Sequence, residues 1–326
     1  MTRRRALKTL FCSSVLMDLN VSAFAKETAS SGALDLLAVG DFGMANDAQR
    51  NVARAMARYA RAMIRKPDGL LFLGDNFYGK MPGGLKSKRW MDGYSNMYRA
   101  QDFPGPCWPI LGNHDYHDHP GGEQLQLRYA ASLNRRTRWT MPSKYYRLDL
   151  PVEKPKVTIL MLDTNWESIN RRLHGEPCWM DEMERVAQMK WVKEQLESER
   201  AAITIVAGHH PVYSEGGHGD TQELIAELGP LLQKYGVHLY IGGHDHDLQH
   251  LELENLRTSF VISGGGGASL HHGKEGRQGS TVLDVHGFTH LSLVDQSLTV
   301  RHIDQTGKVV HAFAKSANHN WKLLGG

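Results

Sequence analysis

The chain has 326 residues, 41% of them hydrophobic and 22% charged, with 33 glycines and 12 prolines. That composition excludes a disordered chain, a collagen and a coiled coil, and allows one large α/β domain or two smaller ones. The formal charge of +3 belongs to the N-terminus, where Arg3, Arg4, Arg5 and Lys8 face only Asp18; of the totals of 38 basic and 35 acidic residues, 34 of each remain beyond residue 25. Nothing electrostatic therefore argues for nucleic acid or an anionic membrane as partner.

Residues 1–25 read as an export signal. A basic start, Thr2-Arg3-Arg4-Arg5, precedes a mildly apolar run from Leu7 to Met17, and Ala23-Phe24-Ala25 offers a small-x-small cleavage site. The segment from Thr2 to Lys8 resembles a twin-arginine signal with alanine in place of the usual phenylalanine, and Asp18 and Asn20 weaken the apolar run as that route tolerates. The expectation is a periplasmic or secreted protein that meets the twin-arginine export machinery; the alternative is a frayed amphipathic N-terminus. No window approaches the ~18 uncharged apolar residues of a membrane helix, so no stable membrane association is expected. Cys12 would leave with the signal. Cys107 and Cys178 either pair in an oxidising compartment or stay free and buried.

Residues 26–326 read as one domain. Apolar runs predict strands at 34–40, 69–74, 109–112, 145–150, 157–163, 203–208, 237–243, 259–263, 281–285, 289–294 and 298–303. Helices are predicted at 46–66, 181–200 and 221–235. In the first of these, Val52, Ala55, Met56, Tyr59 and Met63 fall at helical spacing, with Asn46 or Asp47 as cap. The polar stretches 80–95 and 165–180 are candidate surface loops. Strand–helix alternation followed by a run of strands predicts an α/β fold with mixed sheets covered by helices.

Chemistry-bearing residues recur where the apolar runs stop. The runs end in Gly-Asp41-Phe-Gly, Gly-Asp75-Asn-Phe-Tyr78, Gly-Asn113-His114-Asp115, Gly-His209-His210-Pro and Gly-Gly-His244-Asp245-His246. In open α/β sheets ligands bind beyond the carboxyl ends of strands, so five such ends can share one site. Each motif alone is an ordinary turn or cap. Together they supply imidazole and carboxylate without thiolate, which suits iron, zinc or manganese and argues against a structural zinc knot. The donors outnumber the needs of one ion, and a two-metal site with a bridging carboxylate would use them all.

This ordered set resembles the calcineurin-like metallophosphoesterases, and the tyrosine after GDNF narrows the resemblance to the purple acid phosphatases of the small, tartrate-resistant type. It extends from about Leu34 to past Ile303. The resemblance implies a four-layer α-β-β-α sandwich, two mixed sheets flanked by helices. It implies Fe(III) held by Asp41, Asp75, Tyr78 and His246, and a divalent ion (Fe, Zn or Mn) held by Asp75, Asn113, His209 and His244. Asp75 would bridge, and Tyr78 would bind as a coloured phenolate. His114 and His218 correspond to the family's catalytic histidines, although a glycine-flanked His218 also reads as a plain loop residue.

The expected activity is that of an exported acid phosphatase. A metal-bound hydroxide would attack phosphate monoesters, on small molecules or phosphoproteins, while His114 and His218 stabilise charge and protonate the leaving group. A phosphodiesterase or nucleotidase of the same superfamily is the alternative enzyme, and a non-catalytic iron-binding scaffold the alternative from another class. His210 is expected to pack beside the site, His271 and His272 to lie on a surface loop, and the run Gly264–Gly267 to let backbone approach the site. Glu223 stands where small relatives carry a cysteine, so the family's disulfide is not expected. The stretch 165–180 occupies the place of the family's regulatory loop with a sequence of its own.

Overall fold

The computed structural model describes residues 32–132, 137–174, 178–273 and 276–325. The expected signal at 1–25 lies outside them. The chain runs β1 (Leu34–Val39), α1 (Asp47–Ala62), β2 (Gly69–Leu73), β3 (Cys107–Ile110), α2 (Asn113–His117), α3 (Gly122–Ser132), β4 (Tyr146–Leu150), β5 (Val157–Met161) and α4 (Glu167–His174). It continues through α5 (Glu182–Glu197), β6 (Ile203–Ala207), α6 (Gln222–Glu227), α7 (Gly229–Lys234), β7 (Leu239–Gly242), β8 (Leu248–Leu251), β9 (Ser259–Ser263) and β10 (Ser280–Leu283). The last strands are β11 (Gly287–Val294), β12 (Ser297–Asp304), β13 (Val309–Ser316) and β14 (Trp321–Leu323).

Among the described residues the strands form two seven-stranded sheets, ordered β14-β13-β12-β11-β1-β2-β3 and β10-β8-β9-β7-β6-β5-β4. Both are mixed. In the first, β1, β2 and β3 are parallel, and β11 to β14 add antiparallel. In the second, β5, β6, β7 and β9 are parallel, with antiparallel β4, β8 and β10. The parallel strands are buried along their whole length, which is why they read as continuous apolar runs rather than alternating ones.

The sheets are joined near the ends of β1 and β9. Gly40 N–H donates to the Ser263 carbonyl at 2.7 Å, and the Ser263 hydroxyl donates to the Ala38 carbonyl at 3.1 Å. This contact brings the carboxyl ends of parallel strands from both sheets to one rim. Helix α1 covers the first sheet through Val52, Ala55, Met56 and Ala60, and the Tyr59 ring meets Phe288 of β11 edge-on at 5.6 Å. Asn46 caps the helix, accepting from Gln49 N at 2.9 Å. The helix ends at Ala62, short of the predicted Lys66, because Met63 leaves helical backbone at ψ 146° while its N–H still donates to the Tyr59 carbonyl.

Other expectations change. The predicted helix 221–235 is two helices, because Pro230 lacks an N–H and starts α7 instead of continuing α6. The stretch 80–95 is not a surface loop: it contains a π-helical turn, Trp90–Ser95, whose Trp90 and Tyr94 are buried against Phe77 and Trp139. The stretch 165–180 contains α4 and buries Trp166, Ile169 and Cys178. Strands β8, β13 and β14 were not predicted. Cys107 and Cys178 are both buried and are not bonded to each other, and Glu223 is paired with Arg172 at 2.7 Å. Among the described residues no helix is long and apolar enough to cross a membrane.

Candidate metal centre

Three of the strand ends turn through left-handed backbone at a residue other than glycine. Asp41 after β1 has φ 58°, Asp75 after β2 has φ 51°, and His244 after β7 has φ 71°. Such conformations cost on the order of 1–3 kcal/mol each and persist only where surrounding bonds over-determine them. Here Asp41 N–H donates to the Gly74 carbonyl at 3.0 Å, and Gly43 N–H to the Asp75 carbonyl at 3.1 Å. The His244 N–H donates to Asp41 Oδ2 at 2.9 Å. The turns lift each side chain out of its sheet and onto the shared rim.

Close approach sets two glycines. A Cβ at Gly112 would fall on the Asp75 carboxylate, and one at Gly264 would meet Asp41 Oδ2 at 2.9 Å. The run Gly264–Gly267 therefore does what was expected of it. It packs on the end of β1, with Gly266 N–H donating to the Gly40 carbonyl at 3.1 Å.

The side chains converge in two groups. His209 Nε2 and His244 Nδ1 each lie 3.0 Å from Asn113 Oδ1. Tyr78 Oη lies 3.4 Å from Asp41 Oδ1 and 3.2 Å from His246 Nε2, which is itself 3.5 Å from Asp41 Oδ1. Asp75 adjoins the first group through His209 Nε2 at 3.5 Å, and one ligand atom from each of Asp41, Asp75 and His209 falls within 4.8 Å of the others. The structure thus brings Asp41, Asp75, Tyr78, Asn113, His209, His244 and His246 together, with no cysteine in the cluster.

Backbone carbonyls orient two of the imidazoles. His209 Nδ1–H donates to the Leu73 carbonyl at 2.8 Å, and His246 Nδ1–H to the Ser269 carbonyl at 2.7 Å. Each ring is left with its Nε2 lone pair facing the cluster, the arrangement a metal ligand needs.

The electrostatics fit cations. Burial, with the Asp75 charge beside it, pushes the Asp41 carboxyl well above the carboxylate range. Burial and the same two carboxylates raise the Tyr78 phenol well above its ordinary value. Burial lowers His209 and takes His244 well below the ordinary imidazole range, and lowers His246 to about 4. Two buried carboxylates, a phenol and neutral imidazoles around one point are a donor set that positive charge would stabilise. Hard oxygens mixed with imidazole suit iron, zinc or manganese.

The two histidines expected to be catalytic flank this cluster. His114 N–H donates to Asp75 Oδ1 at 2.9 Å, and its Nδ1 lies 3.0 Å from Asp118 Oδ1. Burial alone would lower His114, but Asp118 and the Asp75 charge raise it to about 9. The His218 ring stacks on His244, and burial lowers it. His210 is buried, held by Thr164 Oγ1 at 2.9 Å, and packs beside His244 as expected. His272 is exposed. His271 departs from expectation: it is half-buried and stacked on His246.

Several supporting residues were not anticipated. Asp115 accepts from Gly112 N at 2.9 Å, Asn76 N and Phe77 N at 3.1 Å, and Gln126 Nε2 at 2.7 Å. It thereby ties the Asp75–Tyr78 segment to the Asn113 turn. Its place inside the Asn-His-Asp motif was the only signal. Asp118, four residues after His114, carried none.

A family model described as calcineurin-like phosphoesterase matches residues 34–248. The chain belongs to that family. It is 33% identical over 296 residues to the human tartrate-resistant acid phosphatase type 5, covering 85% of this chain and 89% of the relative. It is 28% identical over 303 residues to purple acid phosphatase 3 of Arabidopsis thaliana, covering 88% and 79%. Among solved structures, yellow lupin purple acid phosphatase PPD1 matches with TM-score 0.64 at 17% identity, over 88% of this chain and 54% of that one. GAP50, titled the anchor in the inner membrane complex of Plasmodium, matches with TM-score 0.69 at 22% identity, over 86% and 87%. At those identities the structural likenesses speak for the fold alone. The metallophosphoesterase architecture of two mixed sheets with flanking helices is the one observed here.

Proposed function

We propose that this protein is a binuclear metal-dependent acid phosphatase acting on phosphate monoesters. One observation carries the reading: the seven side chains from five separated strand ends meet at one rim, with His114 and His218 on its flanks. Similarity to acid phosphatases over most of the chain supports it.

In this reading Asp41, Tyr78 and His246 would hold a ferric ion, Asn113, His209 and His244 a divalent one, and Asp75 both. Bound there, the ions would supply Lewis acidity and acidify water. The chain's own residues do the rest. Leu73 and Ser269 carbonyls hold the imidazoles in register. His114, held by Asp118, offers an imidazolium to the phosphoryl oxygens. His218, on an exposed glycine-flanked loop, would give a proton to the departing alkoxide.

Assays of purified protein on an alkyl phosphate, a nitrophenyl phosphate and the corresponding diesters test the proposal. Monoester turnover well above diester turnover, abolished by chelation, is expected. A preference for diesters would overturn it in favour of a phosphodiesterase. We also propose export through the twin-arginine route, on the pattern of residues 1–25. Replacing Arg3 and Arg4 by lysine keeps the charge but removes the guanidinium groups, and should block export. Unchanged export would leave only a general secretory signal.

A further inference from the structure

Asp245 lies between the two histidines His244 and His246 and is fully buried. Its Oδ1 accepts the His218 N–H at 2.9 Å, and its Oδ2 accepts the Ser214 hydroxyl. A carboxylate has about four lone-pair sites, so these bonds orient it and leave capacity toward the loop side. On that side stands His271. Its ring stacks on His246 with centroids 4.0 Å apart and planes at 21°; its Nδ1 lies 3.6 Å from Asp245 Oδ1 and accepts the His246 N–H at 3.4 Å, a long bond that a cation on Nδ1 would displace. The His218 and His271 rings are 5.1 Å apart. One ligand atom from each of His218, Asp245 and His271 falls within 4.8 Å of the others.

The 3.6 Å separation is informative. It is too long for a hydrogen bond. It is close to the edge of about 3.4 Å expected between donors placed ~2.1 Å from a tetrahedral zinc. The neighbouring group of the same residue types behaves differently: Asp118 Oδ1 lies 3.0 Å from His114 Nδ1 and 2.9 Å from His117 Nδ1, so hydrogen bonds close it. Two imidazoles and one buried carboxylate, with Ser214 and backbone fixing the carboxylate, match the donor set and supporting bonds of an open zinc site. The remaining movement falls to His218, an exposed side chain between Gly217 and Gly219, the latter at φ 72°.

We propose that His218, Asp245 and His271 form a third cation site, selective for zinc or a similarly borderline divalent ion, beside the binuclear centre and distinct from it. A cation there occupies the lone pair of His218. If His218 is the general acid, as the proposed function holds, excess zinc then inhibits reversibly by removing that acid from the reaction.

The test is equilibrium dialysis of the metal-loaded protein against zinc sulfate, in wild type, His271→Phe and His271→Gln. Phenylalanine keeps a ring against His246 and removes both nitrogens; glutamine guards against a folding defect peculiar to the larger apolar ring. Wild type should bind one more zinc per chain than either variant, or bind it at least about tenfold more tightly. Inhibition of monoester hydrolysis by zinc, measured against each protein's own zinc-free rate, should shift by the same factor. Identical zinc binding in wild type and both variants would overturn the site. Failure of the phosphatase reading would look different: no turnover in any of the proteins, with the dialysis difference intact.

Discussion

His218 lies over His244 with ring centroids 4.0 Å apart and planes 27° from parallel. The stack sets a loop histidine beside a side chain that faces Asn113 and the candidate metal cluster. His218→Phe preserves the ring and removes the proton. It should lower turnover of an alkyl phosphate by roughly 10²–10⁴-fold, with less loss for nitrophenyl phosphate, whose leaving group barely needs protonation. Metal content should not change. His114→Ala should instead slow all esters alike, as loss of a phosphate contact does. Wild-type rates on the alkyl phosphate in both variants would rule out these roles.

Asp75 adjoins the Asn113 group through His209, while its charge also bears on the Tyr78 phenol of the other group. Asp75→Ala should therefore cost both ions and essentially all activity, whereas Asn113→Ala should weaken one. Metal analysis of the purified variants checks this, and two ions per chain retained by Asp75→Ala would refute the ligand set.

Tyr78 Oη faces Asp41 and His246. If this group holds Fe(III), the oxidised protein should absorb visible light through phenolate-to-iron charge transfer. Tyr78→Phe should abolish the band without altering the far-ultraviolet circular dichroism. A colourless wild type carrying a full complement of iron would contradict the assignment.

Between the sheets, buried His302 donates from Nε2 to the Gln249 carbonyl at 3.0 Å, and its Nδ1 lies 2.9 Å from the Thr289 hydroxyl. Burial, reinforced by His311 and His250 nearby, lowers His302 to about 3, and burial lowers His311 to about 4. An unfolded histidine titrates near 6.5, so the unfolded chain binds these protons first as pH falls. Stability is full above pH ~6.5 and is lost on acidification towards 4, by about 3 kcal/mol from His302 alone at pH 4. Urea midpoints across that range should show the slope, and His302→Gln should flatten it. An unchanged slope would place the acid sensitivity elsewhere.

Gly112 has φ −102°, which any residue adopts, yet a Cβ there would strike the Asp75 carboxylate. Gly112→Ala should destabilise by about 1–3 kcal/mol through overpacking, and weaken metal binding as Asp75 shifts. Chemical denaturation and metal titration measure the two effects separately.

The candidate metal cluster was legible in the chain because most of its members are the first polar residues after buried strands. Burial on both faces makes each of these strands an uninterrupted apolar run, and the polar residue that ends the run marks the rim. Asp41, Asp75, Asn113, His209 and His244 stand at such points, so the residue order displays them even though they lie far apart in the chain.

What the chain order could not display depended on which elements become neighbours. Trp90 and Tyr94 sit in a polar stretch and look exposed until Phe77 and Trp139 close over them. Strand β8 is the polar-looking LQHL, paired between β9 and β10 and buried where His302 of β12 and Phe313 of β13 pack against it. His271 carries no local signal at all. It reaches the site because the segment after β9 folds back on the turn after β7, where His271 N–H donates to the His246 carbonyl at 3.3 Å. Local composition determines where a strand ends and what chemistry stands there; sheet order alone decides which ends, and which loops between them, share a space small enough for charges and lone pairs to act on one another.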